Sequence, residues 1–179
     1  MTRTWIGLGS NQGDRADQIA TALREVDALK RSRVVCVSSL YETAPIGKTD
    51  QPFFLNVVAE VETDRDPHGL LRDLLAIEQR MGRSRTVRWG PRTIDLDVLI
   101  FGDISEASDD LTIPHPRLAE RAFVLVPLVE IAPDVLVPGE ERTPAQLLGT
   151  LSREAGDAVR AGDPPWPDRR GATCRGRTT

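Results

Sequence analysis

Apolar positions along the first hundred residues switch between a strand-like alternation and a helical repeat. Residues 3–9, RTWIGLG, are short, partly apolar and end in glycines, which predicts a strand. In residues 14–32, Ile19, Leu23, Val26 and Leu29 recur at helical spacing with charges between them. A helix is expected there, with Asn11 as its cap and Asp14 near the positive end of its dipole. RVVCVSSLYETA, 33–44, is rich in β-branched side chains and predicts a second strand. Pro and Gly punctuate PIGKTDQP, 45–52, as a loop, and FFLNVVAEVET, 53–63, predicts a third strand. Residues 66–82 place Pro67 in a first turn, put Leu70, Leu71, Leu74, Leu75 and Ile77 on a wide stripe, and stop at Gly82. TIDLDVLIFGD, 93–103, predicts a fourth strand.

That order, β-α-β-β-α-β, is the split arrangement of ferredoxin-like α+β folds, an antiparallel sheet flanked by helices. C-terminal additions follow: RAFVLVPLVEIAP, 121–133, is apolar enough to pack on the core as a short helix. From Ser152 the aliphatics thin out, charges multiply, and a Pro-Pro-Trp-Pro stretch occurs among several glycines. The expected organisation is one domain over residues 1–151 and a disordered tail over 152–179.

Composition narrows the function classes. At 179 residues the chain suits one domain with a sizeable core; 40% hydrophobic and 28% charged residues are ordinary for a globular protein. A net charge of -4 argues against a general binder of nucleic acid or membrane surfaces, which would carry a basic excess. The two cysteines, Cys36 and Cys174, show neither metal-ligand spacing nor a disulfide framework. No apolar run approaches the roughly 20 residues of a membrane span, and MTRTWIGLGS lacks a secretory stretch. A cytoplasmic protein is expected.

The chemistry concentrates in RWGPRTIDLDVLIFGD, 88–103. On a strand, residues two apart share a face roughly 6.5–7 Å apart, so Asp95 and Asp97 project together. Such a pair can bridge hard cations, and all-oxygen ligands favour Mg²⁺ over zinc. A lone D-x-D also fits a solvated strand end. Just before it, however, Arg83, Arg85, Arg88 and Arg92 occur with no acidic residue among them. Guanidinium groups donate in bidentate fashion to phosphate oxygens. Metal on one side and arginine on the other is the environment a polyphosphate needs. Trp89, Gly90 and Pro91 are also odd choices for a mere linker.

At this point RWGPRTIDLDVLIFGD resembles the signature segment of the 6-hydroxymethyl-7,8-dihydropterin pyrophosphokinase family of the folate pathway. IGLGSNQGD resembles that family's N-terminal strand and turn, SSLYETAPIGKTDQPFFLNVVAEVET its pterin-binding loop and strand, and LTIPHPRLAERAFVLVPLVEIAPD its C-terminal block. These four segments, in the expected order, cover most of residues 4 to about 150. The resemblance implies transfer of the terminal pyrophosphoryl group of ATP to the pterin's hydroxymethyl oxygen, leaving AMP. It implies that Asp95 and Asp97 hold two Mg²⁺ ions and that Arg83 and Arg92 lie near the phosphates, with Arg85 and Arg88 on a loop that closes over them. Glu78, Thr112, His115 and Arg121 match positions on the ATP side. For the pterin it implies a ring sandwiched by Phe54 and Phe123, an edge met by Asn56, a loop contributed by Thr43, Pro45 and Ile46, and Trp89 closing over the site. Phe54 stands where some members carry tyrosine, and Leu75, Asp110 and Pro116 stand where some carry polar or basic nucleotide contacts. A monomer acting on small molecules is the implied state.

Two other classes fit less well. GLGSNQG after a strand suggests a dinucleotide site, but its spacing is G-x-G-x-x-x-G, and the acidic ribose ligand has no counterpart because Asp27 falls within the expected helix. An RNA-binding module of this shape displays aromatics on its sheet, whereas aromatics are only 4% of this acidic chain.

Overall fold

The computed structural model describes residues 1–45, 49–82, 92–152 and 156–167. β1 (Thr2–Ser10), β4 (Phe54–Thr63) and β5 (Asp95–Phe101) form the centre and one edge of an antiparallel sheet; β2 (Ser32–Val37) and β3 (Leu40–Thr43) both pair with β4. The expected second strand is thus broken at Ser38–Ser39, where Ser38 N–H and Oγ bond to Val58 rather than continuing one regular ladder. α1 (Arg15–Asp27) and α2 (Pro67–Arg80) cover the face formed by Ile6, Leu8, Val57, Leu96 and Val98. α3 (Ala122–Ile131) and α4 (Pro144–Gly149) cover the other face, against Trp5, Val58, Leu99 and Ile100.

The helices follow their sequence signals closely, with one correction. The cap of α1 is Asp14, whose side chain accepts from Asp17 N–H at 3.0 Å, and Asn11 is free for a different task. Pro67 sits in the first turn of α2, and Gly82 ends it with φ +81, a left-handed conformation that glycine adopts without strain.

In the span expected as a tail, Val159–Gly162 forms β8, which pairs antiparallel with β3, and Trp166 packs against the core beneath α1 and α2. Disorder therefore does not begin at 152 in the described residues; Arg160 Nε donates to Ser39 Oγ at 2.9 Å and ties this strand down. Cys36 is wholly buried on β2, and Cys174 lies outside the described residues.

β5 is an irregular strand. Its register with β1 shifts between Trp5 and Ile6, which oppose Ile100 and Val98, so Leu99 is the extra residue of a bulge. As a result Leu99 and Ile100 both face α3, and the Leu99 carbonyl turns out to accept the His115 N–H at 2.9 Å.

Candidate active site

The α3 face of the sheet opens into a cleft floored by Gly7, Gly9, Asn56, Asp95 and Asp97 and walled by Thr43, Phe54, Arg121 and Phe123. The two-residue repeat of β5 does place both carboxylates in this one space, with Leu96 and Val98 packed on the opposite face. Across the ladder Gly9 opposes Asp95 and Gly7 opposes Asp97. A Cβ at Gly9 would lie 2.8 Å from Asn56 Oδ1, so glycine is needed for the amide to lie over β1. The glycines that hinted at a dinucleotide loop are instead the low floor of this cleft.

Arg92 reaches forward three residues and pairs its Nη1 with Asp95 Oδ2. Its backbone is fixed by Asn11: Arg92 N–H donates to Asn11 Oδ1 at 2.7 Å and Asn11 N–H returns a bond to Arg92 O at 3.1 Å. Asn11 Nδ2 also donates to Gln51 Oε1 at 3.0 Å and Pro52 O at 3.2 Å. This buried side chain therefore joins the β1 turn, the 49–53 segment and Arg92. Sequence reasoning missed it; the available signal was a second cap candidate, Asp14, for a helix that can use only one.

Arg121 begins α3, with its guanidinium carbon 5.3 Å from the centre of the Phe123 ring. Its Nε is buried with no hydrogen-bond partner among the described residues. Burial, and then the nearby Arg117 charge, lower its pKa from the usual arginine value, opposed by Asp97 and Asp95. A guanidinium so far above neutrality stays charged, leaving a buried donor suited to an anion. Asn56 Nδ2 donates to Thr43 Oγ1 at 2.8 Å, which orients the amide between the aromatic walls.

His115 stands beside the cleft rather than in its lining. Its Nδ1 accepts from Arg117 N–H at 3.1 Å, which puts the hydrogen of the neutral ring on Nε2. Burial, then Arg121 and Arg117, push its pKa down from 6.5 to about 4, so the imidazole is neutral at pH 7. Thr112 shares a separate groove with His115 under the hairpin of β6 (Glu106–Ala107) and β7 (Thr112–Ile113). Pro45 is buried beside the cleft, and Glu78 is buried behind β5, outside the lining. Ile46, Arg83, Arg85, Arg88 and Trp89 lie outside the described residues.

The donor set fits Mg²⁺. No group of three or more His, Cys, Asp or Glu side chains that could hold a metal gathers among the described residues. Mg²⁺ commonly takes one or two carboxylates and completes its shell with substrate phosphate and water, which the Asp95–Asp97 pair allows.

An antiparallel sheet presenting paired carboxylates, arginines and an aromatic slot in one cleft has the makeup of a nucleotide-dependent phosphotransferase. Residues 5–133 match the family 7,8-dihydro-6-hydroxymethylpterin-pyrophosphokinase (HPPK), and the chain belongs to that family. It is 49% identical over 140 residues to the 2-amino-4-hydroxy-6-hydroxymethyldihydropteridine pyrophosphokinase of Methylorubrum extorquens, covering 78% of this chain and 89% of that one. The protein of the same name from Pseudomonas aeruginosa is 44% identical over 145 residues, covering 81% and 90%. Among solved structures, an HPPK-DHPS in complex with substrates superimposes with a TM-score of 0.65 at 16% identity, over 83% of this chain and 43% of that one. The Plasmodium falciparum HPPK-DHPS A437G with SDX-DHP gives 0.66 at 19% identity, over 83% and 45%. These two likenesses concern the fold, and the chain spans less than half of either protein.

Proposed function

We propose that this chain transfers the pyrophosphoryl group of ATP to the hydroxymethyl oxygen of 6-hydroxymethyl-7,8-dihydropterin, with Asp95 and Asp97 holding two Mg²⁺ ions on the phosphates. The family match and the relatives' shared name support the reaction. The observation that carries the residue roles is that one cleft gathers the acidic pair, Arg92 and Arg121 with Phe54, Asn56 and Phe123.

In the reaction the pterin hydroxyl oxygen bonds to the β-phosphorus, the bond from that phosphorus to the α-phosphate oxygen breaks, AMP leaves, and the hydroxyl proton is released. Bound Mg²⁺ would neutralise phosphate charge and lower the cost of bringing an oxygen nucleophile up to it. The chain's own residues bind and orient. Phe54 and Phe123 stack the heteroaromatic ring, and Asn56, fixed by Thr43, meets its amide-like edge. Pro45 and Ile46 belong to the same pterin side. Arg92 is held by Asn11 at the level of Asp95, and Arg121 offers its buried donor to the phosphates. His115, neutral with hydrogen on Nε2, is a donor on the nucleotide side, where Thr112 and the loop residues Arg83, Arg85, Arg88 and Trp89 also act.

The working unit is residues 1–151, acting as a monomer on small molecules in the cytoplasm. No helix among the described residues is long and apolar enough to cross a membrane. Incubation with ATP, Mg²⁺ and the reduced pterin alcohol tests the reading. AMP and the pterin pyrophosphate are the expected products; ADP would mean a simple kinase, and intact ATP would remove the activity.

A further inference from the structure

β5 is an edge strand, paired with β1 along one side only. Between Asp95 and Asp97 stands Leu96, whose N–H turns to the other side and donates to Glu78 Oε1 at 2.8 Å. Glu78 comes from the last turn of α2, across the sheet from the cleft, and is only 2% exposed. That is an unfavourable place for a carboxylate. The C-terminal end of a helix repels negative charge, and burial costs several kcal/mol unless the oxygens are well bonded. Leu70 and Leu74 stand at eight and four residues before it on the same buried stripe, so a further leucine would suit packing better.

The bond instead goes to the peptide group that joins Asp95 to Leu96. We infer that Glu78 is a positioning residue: it fixes the β5 backbone at Leu96 so that the Asp95 and Asp97 carboxylates share one spacing and direction for divalent cations. Glu78 holds that peptide from the open side of the edge strand, and a rotation there swings both flanking side chains. Ligand geometry must hold to roughly 0.5 Å, and losing a group that orients metal ligands commonly costs 10- to 100-fold in metal affinity. Glu78 thus acts through β5 without touching the nucleotide. This inference rests on reading Asp95 and Asp97 as the Mg²⁺ ligands.

The test compares Glu78→Leu, which removes the acceptor, with Glu78→Gln, which keeps one in place. Three readouts apply: amide exchange of Leu96 in the metal-free protein, Mg²⁺ affinity by calorimetry with a nonhydrolysable ATP analogue, and the Mg²⁺ dependence of turnover. Glu78→Leu should speed Leu96 exchange at least about tenfold and weaken Mg²⁺ about 10- to 100-fold, with turnover partly recovered at high Mg²⁺. Glu78→Gln should stay within about threefold of the parent on all three. Parent-like Mg²⁺ affinity in a folded Glu78→Leu protein overturns the inference, and so does a Glu78→Gln protein as weak for Mg²⁺ as Glu78→Leu. If Glu78→Leu does not fold, the Glu78→Gln result alone decides by that same threefold limit. Asp97→Asn separates the two readings: unchanged Mg²⁺ affinity there removes the metal site itself, whereas a loss there beside none in Glu78→Leu removes only the role of Glu78.

Discussion

The two sides of the sheet's pairing end differently. At the β5 edge, backbone groups not used by β1 are met by single side chains and loops: Glu78 takes the Leu96 N–H, and the bulged Leu99 carbonyl takes His115 N–H. At the β3 side, the edge is covered by a whole strand, β8, with Leu40, Tyr41 and Glu42 paired to Gly162, Arg160 and Val159. An uncovered edge invites pairing with other chains, and a covering strand removes that hazard at β3. β5 answers it differently, by irregularity and by acidic side chains. The edge that carries the proposed metal ligands is thus held point by point, and β3, which carries Thr43, is held by a whole strand, though that pairing also slips by one residue between Leu40 and Tyr41. Point contacts fix particular atoms, and strand pairing spreads its stability along the ladder.

The largest effect should come from the β5 edge. Asp95→Ala or Asp97→Ala should lower turnover by on the order of 10³-fold or more with the circular dichroism spectrum unchanged, because metal-borne charge stabilisation is worth several kcal/mol. Near-normal rates at saturating Mg²⁺ would sink the assignment. Arg92→Ala should cost about 10²- to 10³-fold in kcat, the scale of losing a preorganised partner of developing charge, and a loss under threefold would count against that role. Phe123→Ala removes a stacking face and the surface under Arg121, so KM for the pterin should rise about tenfold or more with a smaller change in kcat.

His115 sharpens the contrast through pH. Its folded pKa lies below its unfolded value, about 4 against 6.5, so the unfolded chain binds the extra proton first as pH falls. Stability should therefore decline between about pH 6.5 and 4 and level off below, by up to about 3 kcal/mol from this group. Urea midpoints across that range should fall less steeply for His115→Gln. The smallest effect belongs to the covered edge. Ending the chain at residue 151 removes β8, and melting should drop by a few degrees while kcat stays within about threefold. A collapse of kcat on truncation would mean that β8 aims groups in the site, and the distinction between the two edges would fail.

Much of this was legible beforehand for a simple reason: local repeats carry it. Ile19, Leu23 and Val26 mark the buried face of α1, and Leu70, Leu74 and Ile77 that of α2. The strand repeat put Asp95 and Asp97 on one face, and Phe54, Phe123, Arg92 and Arg121 line the same cleft. The stripe Leu70–Leu74–Glu78 even held a signal, a carboxylate where the helical repeat asks for an apolar side chain. What could not be seen depends on partners far along the chain. Asn11 is a hub and not a cap because Arg92, Gln51 and Pro52 meet it. Val159–Gly162 forms a strand because β3 offers it an edge, although its own composition favours none.

The amino-acid order by itself therefore determined the main strands and the helices α1 to α3, the face that α1 and α2 bury and the shared direction of the two aspartates, since periods of two and 3.6 residues are properties of a single segment. Only the folded chain decided which orphaned backbone groups exist and which side chains satisfy them. Hydrogen-bond partners are set by where segments cross in space, and Glu78, Asn11 and the Leu99 bulge acquire their meaning there.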